Sequence, residues 1–235
     1  MTNKNFEERL KLHAEDFSAV VPFNNDDKLL LMDFTEANQE LSDEILANTE
    51  LFTSWINNKI SKSNARYGIG GYNEHRTVYR RSAVFDTGDE MEPRRLHLGI
   101  DIWGKPYTKV MAPLDGIVHS FAFNNAFGDY GATIILTHQM DGKTFHTLYG
   151  HLSLNSIKNI QEGETIRKGD VFAEFGIPVE NGHWPPHLHF QIVIDMDRSK
   201  GDYPGVCKFS ERESYLGNCP DPDLILKMMH LASKD

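Results

Sequence analysis

The sequence predicts a mainly β protein, α+β overall: an antiparallel β sandwich or barrel-like core, an N-terminal helical extension and a C-terminal helix. Three observations predict it. From about residue 95 to 197, short apolar or alternating runs such as GATIILTH and HLHFQIVI are broken repeatedly by Gly, Pro, Asn and Asp. Before them, Leu41, Ile45, Leu46, Phe52, Trp55, Ile56 and Ile60 recur at helical spacing and stop ahead of Gly68, Gly70 and Gly71. After them, an NCPDPD loop leads into LILKMMHLA, an amphipathic stretch that reads as a terminal helix.

Taken in order, residues 1–80 form the extension, 81–200 the β domain and 201–235 the loop and terminal helix. Within the extension, LLLMDF at residues 29–34 reads as a short strand. Within the domain, KVMAPLDGIVHSFAF, KTFHTLYGHLS and GETIRKGDVFAEFG supply further strands. APLDGIV and IRKGDVFAEFG echo each other as strand, tight Gly turn, strand.

The chain has 235 residues with a formal net charge of −10, and its 14 Phe, 8 Tyr and 3 Trp supply ample apolar surface for a core. An acidic surface repels phosphate backbones, anionic membranes and anionic wall polymers, so neither nucleic acid nor membrane is expected as a partner. MTNKNFEERLKLHAEDF has no apolar core or small-residue cleavage site of a secretory signal, and no apolar run approaches bilayer length. The expected location is the cytoplasm, with Cys207 and Cys219 as reduced thiols, too few for a zinc site alone.

Eleven histidines have to be sorted. A single histidine is ordinarily a surface or hydrogen-bonded core residue. His13, His75 and His230 sit in polar or helical surroundings, and His119, His138, His146 and His183 stand alone in their local patterns. Three clusters differ. HLGID spaces His97 and Asp101 by four, which places them on one face of a strand; Gly99 argues against a helix there. YGHLS ends a strand with His151. HLH places His187 and His189 on the same face, with Cα atoms roughly 6.5–7 Å apart in extended chain. HLH by itself reads as a pair of satisfied core histidines. Together with an imidazole–carboxylate pair suited to zinc, it supplies enough donors for a three-ligand catalytic site, with histidines left over for proton chemistry. No H-E-x-x-H occurs, which excludes a glutamate-based zincin.

These residues resemble the lysostaphin/LytM-type zinc metallopeptidases (peptidase family M23), whose signature is H-x-x-x-D, a histidine in Y-x-H-L-S and a terminal H-x-H-F. All three occur here in that order, and KVMAPLDGIV and QEGETIRKGDVFAEFG resemble the family's glycine-turn strand pairs. The resemblance covers roughly residues 95 to 195. It implies a LytM-type β core with a groove across it, Zn2+ held by His97, Asp101 and His189, and a catalytic pair, His151 and His187. The activity it implies is hydrolysis of a peptide or peptide-like amide by zinc-activated water, with histidine acid/base assistance.

The sequence departs from the pattern in places. Trp184, Pro185 and Pro186 replace small residues before HLH, which makes the glycine-containing cross-bridges usual for the family doubtful substrates. Gln191 stands where Glu is familiar, and Tyr107 where a turn glycine is expected. Residues 1–80 have no counterpart in the minimal domain and are expected to pack on or cap the groove. Glu74, Arg76, Arg80 and Arg81 read as a solvated strand face, with a carboxylate or phosphate clamp as the alternative. The alternative to an enzyme is a regulatory or interaction module that keeps the scaffold. A lipoyl-type carrier is set aside because Asp115 occupies the hairpin tip.

Overall fold

The computed structural model describes residues 3–24, 26–86 and 92–234. Its strands are β1 (Leu29–Met32), β2 (Tyr67–Gly70), β3 (Leu96–His97), β4 (Ile100–Trp103), β5 (Lys109–Met111), β6 (Gly116–Asn124), β7 (Gly131–Met140), β8 (Lys143–Leu152), β9 (Thr165–Ile166), β10 (Val171–Glu174), β11 (His187–Val193), β12 (Val206–Cys207) and β13 (Ala232–Ser233). Nine of them make one sheet in the order β13-β1-β2-β4-β11-β8-β7-β6-β9, and two ribbons, β10-β5 and β12-β3, complete the β structure. From β2 through β9 every neighbouring pair is antiparallel, while β1 pairs parallel to both β2 and β13. The sheet stays open. It has edges at β13 and β9, so the barrel-like alternative for the core does not apply.

Alternation along the strands sorts the two faces. Ile100 and Ile102 of β4 and Leu188, Phe190 and Ile192 of β11 enter the main core with Val110 of β5, Ala173 of β10 and Phe6 and Leu10 of helix α1 (Asn3–Leu12). The opposite face carries the functional cluster and a smaller core that includes Leu96 of β3 and Cys207 of β12. Cys207 and Cys219 are buried free thiols whose pKa values burial pushes up to about 12.

The helical period read over 41–60 folds as two helices, α2 (Asp43–Ala47) and α3 (Thr49–Lys62). The break falls at Asn48, whose side chain accepts from the Glu50 and Leu51 amides and so caps α3. Phe52 and Ile56 of α3 pack with Phe34, Trp103 and Trp184, which ties the extension to the sheet face bearing the cluster. LLLMDF forms β1, as expected. The terminal helix expected over LILKMMHLA is only one turn, Asp223–Leu226, because Lys227 takes a left-handed conformation with φ 52°. A 3-10 turn and β13 follow it, and a separate short helix covers Arg212–Asn218.

His138, one of the isolated histidines, is a buried structural residue. Its Nδ1 donates to the Asp115 carbonyl at 2.9 Å and its Nε2 meets Thr147 Oγ1 at 2.7 Å. Burial lowers its pKa to about 4, whereas an unfolded chain binds the proton near 6.5. A folded pKa below the unfolded one means full stability above pH 6.5, lost as pH falls toward 4, by on the order of 3 kcal/mol for this group. Urea unfolding at pH 7 and pH 4.5 should therefore show a smaller pH dependence in His138→Leu than in the wild type. Equal dependence in the two proteins would contradict the assignment.

Candidate active site

Strand register brings the site together. Pairing of β4 with β11 sets Asp101 opposite His189 and Trp103 opposite His187, and Gly150 of β8 faces His189 from the other side. His97 arrives from β3, around the corner at Gly99. A Cβ on Gly99 would lie 2.5 Å from the His189 ring, so only glycine lets this corner approach the imidazole so closely.

His151 needs a different device. Phe145 and Tyr149 of β8 face the main core, and simple alternation would send residue 151 there too. Instead the β7–β8 register slips between Ala132 and Ile134, and His151 adopts φ 63°. This bulge turns its ring to the other face, with its centroid 4.1 Å from that of His187. A left-handed non-glycine residue costs roughly 1–2 kcal/mol, a strain characteristic of functional positions.

Three donor atoms converge. His97 Nε2 lies 3.0 Å from His189 Nδ1 and 3.3 Å from Asp101 Oδ1, and His189 Nδ1 lies 3.1 Å from the same oxygen. Tetrahedral zinc with bonds of about 2.0–2.1 Å needs donor–donor edges of roughly 3.3 Å, so the triangle has the size and the N/N/O chemistry of a three-ligand metal site.

Backbone and amide acceptors fix the tautomers. His189 Nε2 donates to Gln191 Oε1 at 2.8 Å, and His97 Nδ1 donates to the Gly71 carbonyl at 3.1 Å, leaving His189 Nδ1 and His97 Nε2 as free lone pairs within the triangle. His151 Nδ1 donates to the Asn181 carbonyl at 2.8 Å, and His187 Nδ1 to the Pro185 carbonyl at 2.7 Å, so each keeps a basic Nε2. Gln191 has a reason to be an amide: its Nε2 donates to the Pro204 carbonyl at 3.1 Å, which a glutamate could not do. Trp103 stacks on His187 with centroids 3.9 Å apart and planes 17° from parallel.

All five side chains are at most 6% exposed. Burial keeps the neutral forms favoured at His97 and His187, whose pKa values fall to about 4, and at His151, whose pKa it holds well below the ordinary histidine value. Burial opposes ionisation of Asp101, but His97 and Arg76 hold its carboxyl well below the usual carboxylate range.

Arg76 is where the expectation for the arginines fails. It is neither a solvated strand residue nor a clamp open to ligand. It is 1% exposed, in irregular chain between the β-bridge at His75 and the 3-10 turn Val78–Arg81, and its guanidinium bonds Asp101 Oδ2 through Nη1 and Glu74 through Nε at 2.6 Å. Gly70 gives it room, since a Cβ there would lie 2.8 Å from Nη2. Arg81 is half-buried, its guanidinium 4.7 Å above the Trp184 ring and bonded to Thr49 Oγ1 and the His183 carbonyl. Arg80 alone is exposed, beside Asp43 at 3.3 Å. Tyr107 does occupy a left-handed turn position, with φ 61°.

Above Asp101, His151, His187 and His189 lies a cavity of about 210 Å³. Trp184 forms one wall, held by Asn181, which accepts from the Trp184 amide and donates to the Trp184 carbonyl. Val78, Tyr79 and Phe85 from the segment before the first site histidine, and Pro204 to Val206 after the last, close over it. Sequence reasoning missed Arg76 and Tyr79 as parts of this site; nothing in their local pattern marks burial.

The model of peptidase family M23 matches residues 95–201, a segment that contains all five residues. That match is to the family whose motifs the sequence resembles. An uncharacterized metalloprotease of Haemophilus influenzae is 34% identical to the chain over 102 residues, 43% of this chain and 19% of that one. An L-Ala--D-Glu endopeptidase of Bacillus subtilis is 26% identical over 133 residues, 54% of this chain and 39% of its own. The chain therefore spans a fifth to two fifths of the length of these relatives. Among solved structures, the antimicrobial peptidase lysostaphin from Staphylococcus simulans aligns at 26% identity and TM-score 0.39 over 57% of this chain and 44% of its own. A zinc-containing peptidase from Vibrio cholerae aligns at 24% identity and TM-score 0.34 over 42% and 27%. No described helix is long and apolar enough to cross a membrane.

Proposed function

We propose that the segment matched by the M23 model is a zinc-dependent hydrolase of a peptide or peptide-like amide. The observation that carries this reading is the donor triangle of His97 Nε2, Asp101 Oδ1 and His189 Nδ1, with each imidazole tautomer fixed from behind. When bound, zinc supplies Lewis acidity at the scissile carbonyl and activates water for attack. The chain's own residues do the rest. His151 and His187, neutral and with Nε2 basic, take a proton from the attacking water and return it to the leaving nitrogen. Their rings are close enough that the two cannot both carry charge, so they handle one proton between them. Trp103 fixes the plane of His187, and burial excludes bulk water from the exchange. The acidic surface makes nucleic acid and anionic membranes poor partners, which fits a small amide substrate.

Purified protein should carry about one zinc per chain and hydrolyse members of a peptide and muropeptide library. A chelator should abolish turnover, and added zinc should restore it. Full hydrolysis by metal-free protein would sink the reading, and zinc-loaded protein inert toward every amide would favour the non-enzymatic alternative.

A further inference from the structure

Resting on that hydrolase reading, we propose that Tyr79, which lies outside the segment matched to the family, is a catalytic residue whose hydroxyl donates a hydrogen bond to the oxyanion formed when the scissile carbonyl is attacked. The five residues described so far leave that oxygen without a donor from the chain. His97 Nδ1 and His189 Nε2 spend their protons on the Gly71 carbonyl and Gln191, and His151 and His187 spend theirs on the Asn181 and Pro185 carbonyls. A preorganised donor aimed at developing negative charge is among the largest single contributions to acyl-transfer catalysis.

Tyr79 is placed to fill that gap. It lines the same cavity as Asp101, His151, His187 and His189. Its hydroxyl oxygen accepts from Arg76 Nη1 at 3.4 Å, and the same nitrogen bonds Asp101 Oδ2, so a single guanidinium nitrogen links the phenol to a member of the donor triangle. The Tyr79 ring lies 6.3 Å, centroid to centroid, from that of His97. Because the oxygen serves as an acceptor there, the hydroxyl proton is uncommitted: among the described residues it has no acceptor. Tyr130, also close to the ligands, differs, for its hydroxyl donates to the Tyr203 carbonyl at 3.2 Å. A phenol of pKa near 10 is protonated at neutral pH, and burial raises that of Tyr79 further against the pull of Arg76, so this group is a donor where the histidines are bases. Donation from Arg76 also polarises the O–H and strengthens the bond it can make.

The ring is held in place. It is 5% exposed, packs on Phe85 with centroids 4.4 Å apart and meets Trp184 edge-on at 6.2 Å. Its 3-10 turn, Val78–Arg81, is tied to the chain after β1 by the Thr77 amide, which donates to the Phe34 carbonyl at 3.0 Å. A donor fixed in this way needs no reorganisation as charge develops. In the proposed step the water oxygen bonds the scissile carbon, the carbonyl π pair moves onto its oxygen, and the water's proton passes to the histidine pair. The C=O bond then re-forms as the C–N pair leaves on nitrogen, which takes that proton. Tyr79 keeps its own proton throughout and lends only the hydrogen bond.

The test measures binding of a tetrahedral oxyanion mimic, which does not depend on turnover. A phosphinic isostere of Ala-Ala is titrated into zinc-loaded full-length wild type and Tyr79→Phe, with zinc content measured in both. Tyr79→Phe should keep its zinc and bind the phosphinate about 10- to 100-fold more weakly, the worth of one hydrogen bond to a charged group. On any library amide that the wild type hydrolyses, its kcat should fall about 10²- to 10³-fold with KM little changed. Phosphinate affinity in Tyr79→Phe equal to or tighter than the wild type's overturns the inference. So does loss of zinc by Tyr79→Phe, because the hydroxyl then supports the ligands rather than the substrate. Failure of the hydrolase reading looks different: the wild type would bind the phosphinate as well without zinc as with it, or not at all, and the inference would fall with that reading.

Discussion

His151→Ala and His187→Ala proteins should each hold zinc as the wild type does, yet turn over substrate about 10²- to 10⁴-fold more slowly, the range set by positioned acid–base catalysis. Neither ring belongs to the donor triangle. His151 is anchored to the Asn181 carbonyl and His187 to the Pro185 carbonyl, so truncating either leaves His97, Asp101 and His189 in place. Because the rings share one proton, their losses should not add: the double variant should be little slower than the worse single one. Zinc content by mass spectrometry, measured with kcat, separates this outcome from simple loss of metal. Additive losses would mean that the two histidines act in separate steps.

Asp101→Ala and His189→Ala should lose zinc, and their stabilities should differ. Removing the Asp101 carboxylate strands the buried Arg76 guanidinium beside Glu74 alone, and breaking a buried pair in this way costs about 3–5 kcal/mol. His189→Ala leaves that pair intact and should be the milder lesion to the fold. A double variant, Asp101→Ala with Arg76→Met, should recover stability relative to Asp101→Ala while still holding no zinc. Arg76→Met alone should keep zinc but bind it roughly 10- to 100-fold more weakly, as expected when a ligand loses its orienting partner. Thermal unfolding with and without added zinc reads all four proteins. An Asp101→Ala protein as stable as His189→Ala would contradict the role given to Arg76.

Much of this site was legible in the chain because its geometry follows from strand periodicity. His187 and His189 are two apart on β11, and a strand places them on one face, whereas His97 and Asp101, read as one strand, lie on β3 and β4 and meet around the corner at Gly99. The pairing that sets Asp101 against His189 then needs only register. His151 was legible by motif alone, because its side chain reaches the site through a bulge and a left-handed backbone that alternation would not forecast. Arg76 could not be read. The polar run NEHR looks like a solvated segment, and only the long-range contact with Asp101 makes burial of Arg76 tolerable. The tail shows the same limit, for LILKMMHLA has a helical pattern, yet β13 pairs with β1 and Lys227 turns the chain to reach it. The N-terminal helices were legible by period, whereas their packing against Trp103 and Trp184 depends on a partner surface absent from the local sequence.

The central claim is that His97, Asp101 and His189 hold zinc, and X-ray absorption at the zinc edge of purified protein tests it most directly. The account predicts a first shell of nitrogen and oxygen at about 2.0–2.2 Å, with the outer-shell scattering of two imidazoles. His189→Ala should abolish that signal. A sulfur shell near 2.3 Å, or an imidazole count unchanged in His189→Ala, would contradict it.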